Sequence, residues 1–133
     1  MAPDSTDEDT ACPCGSGSDY LACCGRYLAG GETAATAEQL MRSRYTAFAR
    51  GVADYLLSTW HPATRPSRVK LDAAQRWIGL RIVGTEAGGE NDDFGSVEFV
   101  ARFKEAGRGH RLQELSRFEK IAGRWYYRDG DHR

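Results

Sequence analysis

The sequence has no long apolar run and no apolar leader segment. No apolar run approaches the roughly 18 residues that a spanning helix needs. The first residues, Met1-Ala2-Pro3-Asp4-Ser5-Thr6-Asp7-Glu8-Asp9, are acidic and contain no apolar leader segment. A secretory signal is therefore not expected, and the expected location is the cytoplasm. A basic surplus is missing too: 18 Lys+Arg stand against 19 Asp+Glu, for a formal charge of −1. Domains that bind nucleic acid usually carry clear positive excess, so nucleic acid is not an expected partner. There is no phosphate-binding glycine loop, no Ser-His-Asp arrangement, no dinucleotide fingerprint and no internal repeat.

What is present fits a globular protein. With 133 residues, 41% hydrophobic and 28% charged, one main domain with a real core is expected. Residues 1–11 read as a disordered acidic tail. Residues 12–28 open on a turn-rich unit, and 29–36 are a connector of small residues. In Ala37–Arg50, Leu40, Met41, Tyr45, Phe48 and Ala49 mark one face of an amphipathic helix, with Gly51 as its stop. Val52–Trp60 reads as a second, short helix that ends ahead of Pro62. A helical turn is expected around Leu71–Arg76. From Trp77 the apolar period becomes two. Strands are expected over Trp77–Thr85, from Val97 to Lys104, over Leu112–Ile121 and over Arg124–Arg128, with Asp129-Gly130 ending the last. Ala106-Gly107-Arg108-Gly109 and Ala122-Gly123 are the turns. Helices followed by strands on short turns give an α+β domain over 37–130, with the helices packed on one face of a curved four-stranded antiparallel sheet.

All four cysteines fall within thirteen residues, as Cys12-x-Cys14-x8-Cys23-Cys24. In a reducing compartment such clustering indicates metal or redox chemistry rather than a structural disulfide. Zn²⁺ takes four thiolates in a tetrahedron. Pro13 separates two sulfurs that face one point, and Gly15-Ser16-Gly17 supplies a permissive loop whose N–H groups can bond the thiolates. Tyr20 and Leu21 begin a short helix that returns Cys23 and Cys24. One structural Zn²⁺ held by Cys12, Cys14, Cys23 and Cys24 is the expectation. A redox or disulfide pair and unliganded packing cysteines are the alternatives.

The run CPCGSGSDYLACCG resembles the SEC-C motif, a zinc knuckle found at the C-terminus of the SecA translocation motor and in many small bacterial proteins. That resemblance implies a docking device for a protein or ribosome partner. The remaining sequence resembles the YchJ family. The residues that carry this are Leu40-Met41-Arg42-Ser43-Arg44-Tyr45 with Ala47-Phe48; Asp54-Tyr55-Leu56 with Thr59-Trp60-His61-Pro62; Phe99-Val100-Ala101-Arg102-Phe103; Ser116-Arg117-Phe118; and Trp125-Tyr126-Tyr127 with Asp129-Gly130. The family resemblance implies a cystatin-like cone of the nuclear-transport-factor-two type, which agrees with the order of elements above, and it brings no activity with it. Many members carry a second SEC-C motif at the C-terminus; this sequence reaches Arg133 without one.

A cone of this type often has a pocket between sheet and helices, which opens a second reading as a small-molecule binder or an isomerase- or dehydratase-type enzyme. The candidate pocket residues are His61, Arg102, Glu114, Arg117, Tyr126 and Asp129. Arg102 and Glu114 are expected to oppose each other across a hairpin, as an ion pair or as polar groups of a cavity. His61 caps a helix end, or acts as a base if a carboxylate such as Asp54 or Asp129 reaches it. Trp60, Trp77, Trp125, Tyr45 and Phe99 read as core. Arg42, Arg44 and Arg50 read as a solvated helix face, with phosphate contact as the alternative.

Overall fold

The extended backbone of Thr36 and its side-chain oxygen, which accepts from Gln39 N–H at 3.1 Å, start the principal helix of the protein. That helix ends on Gly51, whose φ of 76° closes it in the left-handed region. The structure, a computed structural model, describes residues 11–133. The acidic tail expected over 1–11 lies outside the described residues except for Ala11, which bridges to Asp19 and so belongs to the knuckle. After a 3-10 turn at Tyr20–Ala22 come α1 (Gly25–Leu28), α2 (Ala37–Arg50) and α3 (Ala53–Ser58). Four strands follow: β1 (Arg76–Ala87), β2 (Phe94–Glu105), β3 (Arg108–Ile121) and β4 (Arg124–His132).

The strands form one antiparallel sheet in the order β1-β2-β3-β4, as expected of a chain whose strands are joined by tight turns. Both hairpin turns are two-residue Ala-Gly steps with positive φ at each position: 53° and 78° at Ala106-Gly107, and 52° and 83° at Ala122-Gly123. Such turns match the natural twist of the strands they join. Irregularities after Trp77 and Ile82 in β1 and after Arg117 in β3 locally bend the sheet.

Three expectations need correction. Residues 71–75 form a turn on the Asp72 carboxylate, which accepts from Ala74 N–H at 2.9 Å, and no helical turn forms. Arg108 and Gly109 belong to β3, not to the turn. β4 does not end at Asp129-Gly130; it runs to His132, with Gly130 opposite Ser116.

The concave face of the sheet carries Val97, Phe99 and Ala101 from β2, Phe118 from β3 and Trp125 from β4, all buried. α2 crosses this face and is covered on more than one side. Met41 and Tyr45 meet the sheet, while Ser43 and Arg44 bond α3 and its C-terminal end. The knuckle closes a third side, because Cys12, Cys14 and Cys24 join the same core cluster. The anticipated solvated arginine face holds only for Arg50, which is exposed. Arg44 is buried, Arg42 bonds Glu38 and the Cys14 carbonyl, and Arg50 lies 4.1 Å from the Tyr20 ring centroid.

Candidate functional site

The knuckle brings all four thiols together. The Sγ atoms of Cys12, Cys14, Cys23 and Cys24 lie within 4.8 Å of one another, with 3.7 Å between Cys14 and Cys23 and 4.0 Å between Cys23 and Cys24. A tetrahedron with Zn–S near 2.3 Å has sulfur–sulfur edges of about 3.8 Å, so these residues fit such an ion. The thiols are free, and the two short separations are nearly twice a disulfide bond of about 2.05 Å. Cys12, Cys14 and Cys24 are buried and Cys23 is half-buried.

Local sequence explains the geometry. Cys12 N–H donates to Ser18 O at 3.0 Å and Gly15 N–H to Cys12 O at 3.1 Å, which closes the first loop. Gly15 adopts φ 79° and sits so close to strand β1 that a β-carbon there would lie 3.4 Å from Leu80 O. The 3-10 turn then delivers Cys23, whose N–H donates to Tyr20 O at 3.0 Å, and Cys24 heads α1. Gly25 is required because a β-carbon would stand 2.8 Å from both the ring and the carbonyl of Tyr20.

Polar groups surround the sulfurs. Ser16 Oγ lies 3.2 Å from Cys23 Sγ, Thr46 Oγ1 lies 3.8 Å from Cys12 Sγ, and Arg42 Nη1 donates to Cys14 O at 3.0 Å while standing 3.9 Å from Cys14 Sγ. Hydrogen bonds from Cys12 and Cys24 hold the Cys14 thiol far below its ordinary range. Cys24 is pushed far above its own, chiefly by its hydrogen bonds to Cys12 and Cys14, and Cys23 is raised by burial. Four thiolates at this spacing need a positive ion among them.

The residues expected in a cone pocket separate. The β2–β3 register pairs Arg102 with Arg111 and Glu114 with Phe99, so Arg102 and Glu114 are not opposed. They also lie on different faces, because a two-residue turn gives them opposite parity. Arg117 forms an exposed network with Asp129 at 2.7 Å and Asp131 at 2.9 Å. Tyr126 pairs in register with Glu119 and lines no part of the cavity. His61 does find a carboxylate, Glu119, at 3.0 Å, rather than Asp54 or Asp129. Its Nδ1 accepts from Ala63 N–H at 3.0 Å, which leaves Nε2 to donate to Glu119. This pair stands outside the cavity.

Only Glu114 of that set faces the cone cavity, a space of about 250 Å³ between α2 and the sheet. Its walls come from residues read as core, Tyr45, Trp60, Trp77 and Phe99, and from two that were overlooked, Arg44 and Tyr127. A basic residue three positions from both Met41 and Ala47 was the available signal for Arg44, since it shares the buried side of the helix.

The middle nuclear-transport-factor-two-like domain of YchJ matches residues 36–130. The "UPF0225 protein" of Chromobacterium violaceum is 54% identical over 124 residues, covering 90% of this chain and 91% of that protein. The corresponding protein of Streptomyces coelicolor is 51% identical over 120 residues, with coverage of 90% and 94%. A SEC-C motif containing protein from Rhodopseudomonas palustris, solved in solution, superposes with a TM-score of 0.79 at 38% identity, covering 90% of this chain and 96% of that one. The crystal structure of another, from Psychrobacter arcticus, gives 0.76 at 30% identity, with coverage of 90% and 81%.

Proposed function

The chain belongs to the YchJ family, and on that footing we propose that it is a zinc-stapled adaptor of the cytoplasm whose knuckle docks a protein partner, with the ribosome as one candidate. The convergence of four sulfurs at tetrahedral spacing is the observation that carries this reading. Four ligands fill the coordination sphere of Zn²⁺ and leave no position for a reacting water, so the ion would act structurally. The site is built to present a surface. Its inner thiols pack on α2, while Leu21, on the outward 3-10 turn, is 77% exposed. An exposed leucine on a rigid turn suits a docking contact, since a preordered loop loses little entropy on association. No described helix is long and apolar enough to cross a membrane. The charge of −1 gives no broad field for a polyanion.

Two measurements on full-length protein test this. Elemental analysis after purification without chelator is expected to give close to one zinc per chain. Affinity capture with wild type and with Leu21→Asp, which leaves every sulfur in place, is expected to lose specific partners in the variant. Identical partner sets for both would end the docking reading, whereas absence of zinc would end the metal reading.

A further inference from the structure

The cone cavity holds a buried cation with no direct ion pair among the described residues. Arg44 is 4% exposed, and its Nη1 donates to two neutral acceptors, Leu56 O at 2.8 Å and Thr59 Oγ1 at 2.7 Å. The rings of Trp60 and Tyr127 stand 5.1 and 4.7 Å from its Cζ. No carboxylate among the described residues comes within ion-pair distance of it. The carboxylate that shares the cavity, Glu114, acts on Arg44 from beyond ion-pair distance, and its Oε2 accepts from Tyr127 Oη at 3.0 Å. Buried charges are ordinarily paired, because an unpaired one loses its hydration without compensation. Burial here pulls the guanidinium down to about 10, still a cation at neutral pH.

A second, independent signal lies in the same wall. Trp60 buries its indole Nε1 with no hydrogen-bond partner among the described residues. A buried N–H without a partner is uncommon and requires a reason. The cation, with no direct ion pair, calls for an anionic oxygen. Most of the rest of the wall, with Tyr45, Phe48, Trp77 and Phe99, is aromatic and suits an apolar body.

We propose that the cone cavity binds a small apolar monocarboxylate, its carboxylate on Arg44 and its body against the aromatic wall. A cavity of about 250 Å³ limits the ligand to roughly a single ring or a short alkyl chain. The site lies apart from the cysteine cluster and does not depend on the metal reading. A guanidinium held by two fixed acceptors and two rings is pre-oriented, so its remaining donors meet a carboxylate with little reorganisation.

The test uses the full-length protein, with binding read by calorimetry and by the Trp60 indole proton shift in NMR. The probes are benzoate, hexanoate, benzamide and benzylammonium. Benzoate or hexanoate is expected to bind and to shift the indole proton, the tighter of the two showing whether the body is aromatic or aliphatic. Benzamide, with the same ring and no charge, is expected to bind roughly ten- to a hundredfold more weakly, the ratio for one charged hydrogen bond. Arg44→Met is expected to abolish that discrimination while keeping the fold, because a flexible apolar side chain fills the same volume. If the variant does not fold, the benzoate–benzamide ratio on wild type decides alone. Equal binding of the two, a preference for benzylammonium, or no indole shift with any probe at 10 mM would overturn the proposal.

Discussion

Removing the metal separates two pictures of how the knuckle is joined to the cone. The perturbation is Cys23→Ser, chosen because Cys23 is the half-buried member of the cluster, so the change costs one ligand and little packing. Chelation of wild type is its companion. If the knuckle were a pendant unit, the cone would melt as before. The structure argues otherwise, since Cys12, Cys14, Cys24 and Tyr27 are 5%, 0%, 1% and 6% exposed and share one core with α2 and the sheet. Counting about 2 kcal/mol for a buried aromatic ring and about 1 for each small buried side chain gives about 5 kcal/mol. A compact denatured state lowers that to about 3–5. A metal-ordered knuckle has already lost its chain entropy, so little is subtracted when it packs on the helix. For a domain of this size the loss corresponds to a fall in Tm of roughly 10–20 °C. Thermal melts followed by near-UV circular dichroism, beside a colorimetric zinc assay, measure both quantities. The expected result is a cone that still folds at 25 °C but melts earlier. Zinc lost with Tm unmoved by more than ~2 °C would refute the shared core; zinc fully retained by Cys23→Ser would refute the ligand set.

Two further outcomes follow from the geometry. Arg42→Gln removes the cation beside Cys14 and its bond to the Cys14 carbonyl, and is expected to weaken zinc affinity about 10-fold in competition with a chromophoric chelator. Burial raises the Tyr45 phenol up to about 12, against a hydrogen bond from Gly79 that works the other way. The folded state thus holds this proton more tightly than the unfolded one. Its contribution to stability is complete below pH 10, the ordinary phenol value, and is lost as pH climbs through 12. Denaturant melts from pH 8 to 12 check it, and stability that rises over that interval would contradict the burial of Tyr45.

Local patterns made much of the fold legible. The helix Ala37–Arg50 and the sheet order come from apolar periods and turn residues, which act over a few positions. The four cysteines were legible because their chemistry is clustered in sequence as well as in space. The cavity was not, since it assembles residues from α2, the end of α3 and all four strands, and sequence spacing carries no signal for that. Arg44 illustrates the failure: charge pointed to solvent, but its aliphatic stem and ring contacts place it inside. The mistaken Arg102–Glu114 pairing came from counting the hairpin turn as longer than its two residues. A register error of that kind reverses the face on which every later side chain falls.

Gly130 was read as a place for the chain to turn, yet it lies inside β4, directly beneath the Glu114 carboxylate, which a β-carbon at that position would overlap. A bare backbone there gives the acid a berth next to Tyr127. Any larger residue would evict it from that berth. One missing methyl group thus decides where the acid of the chamber rests.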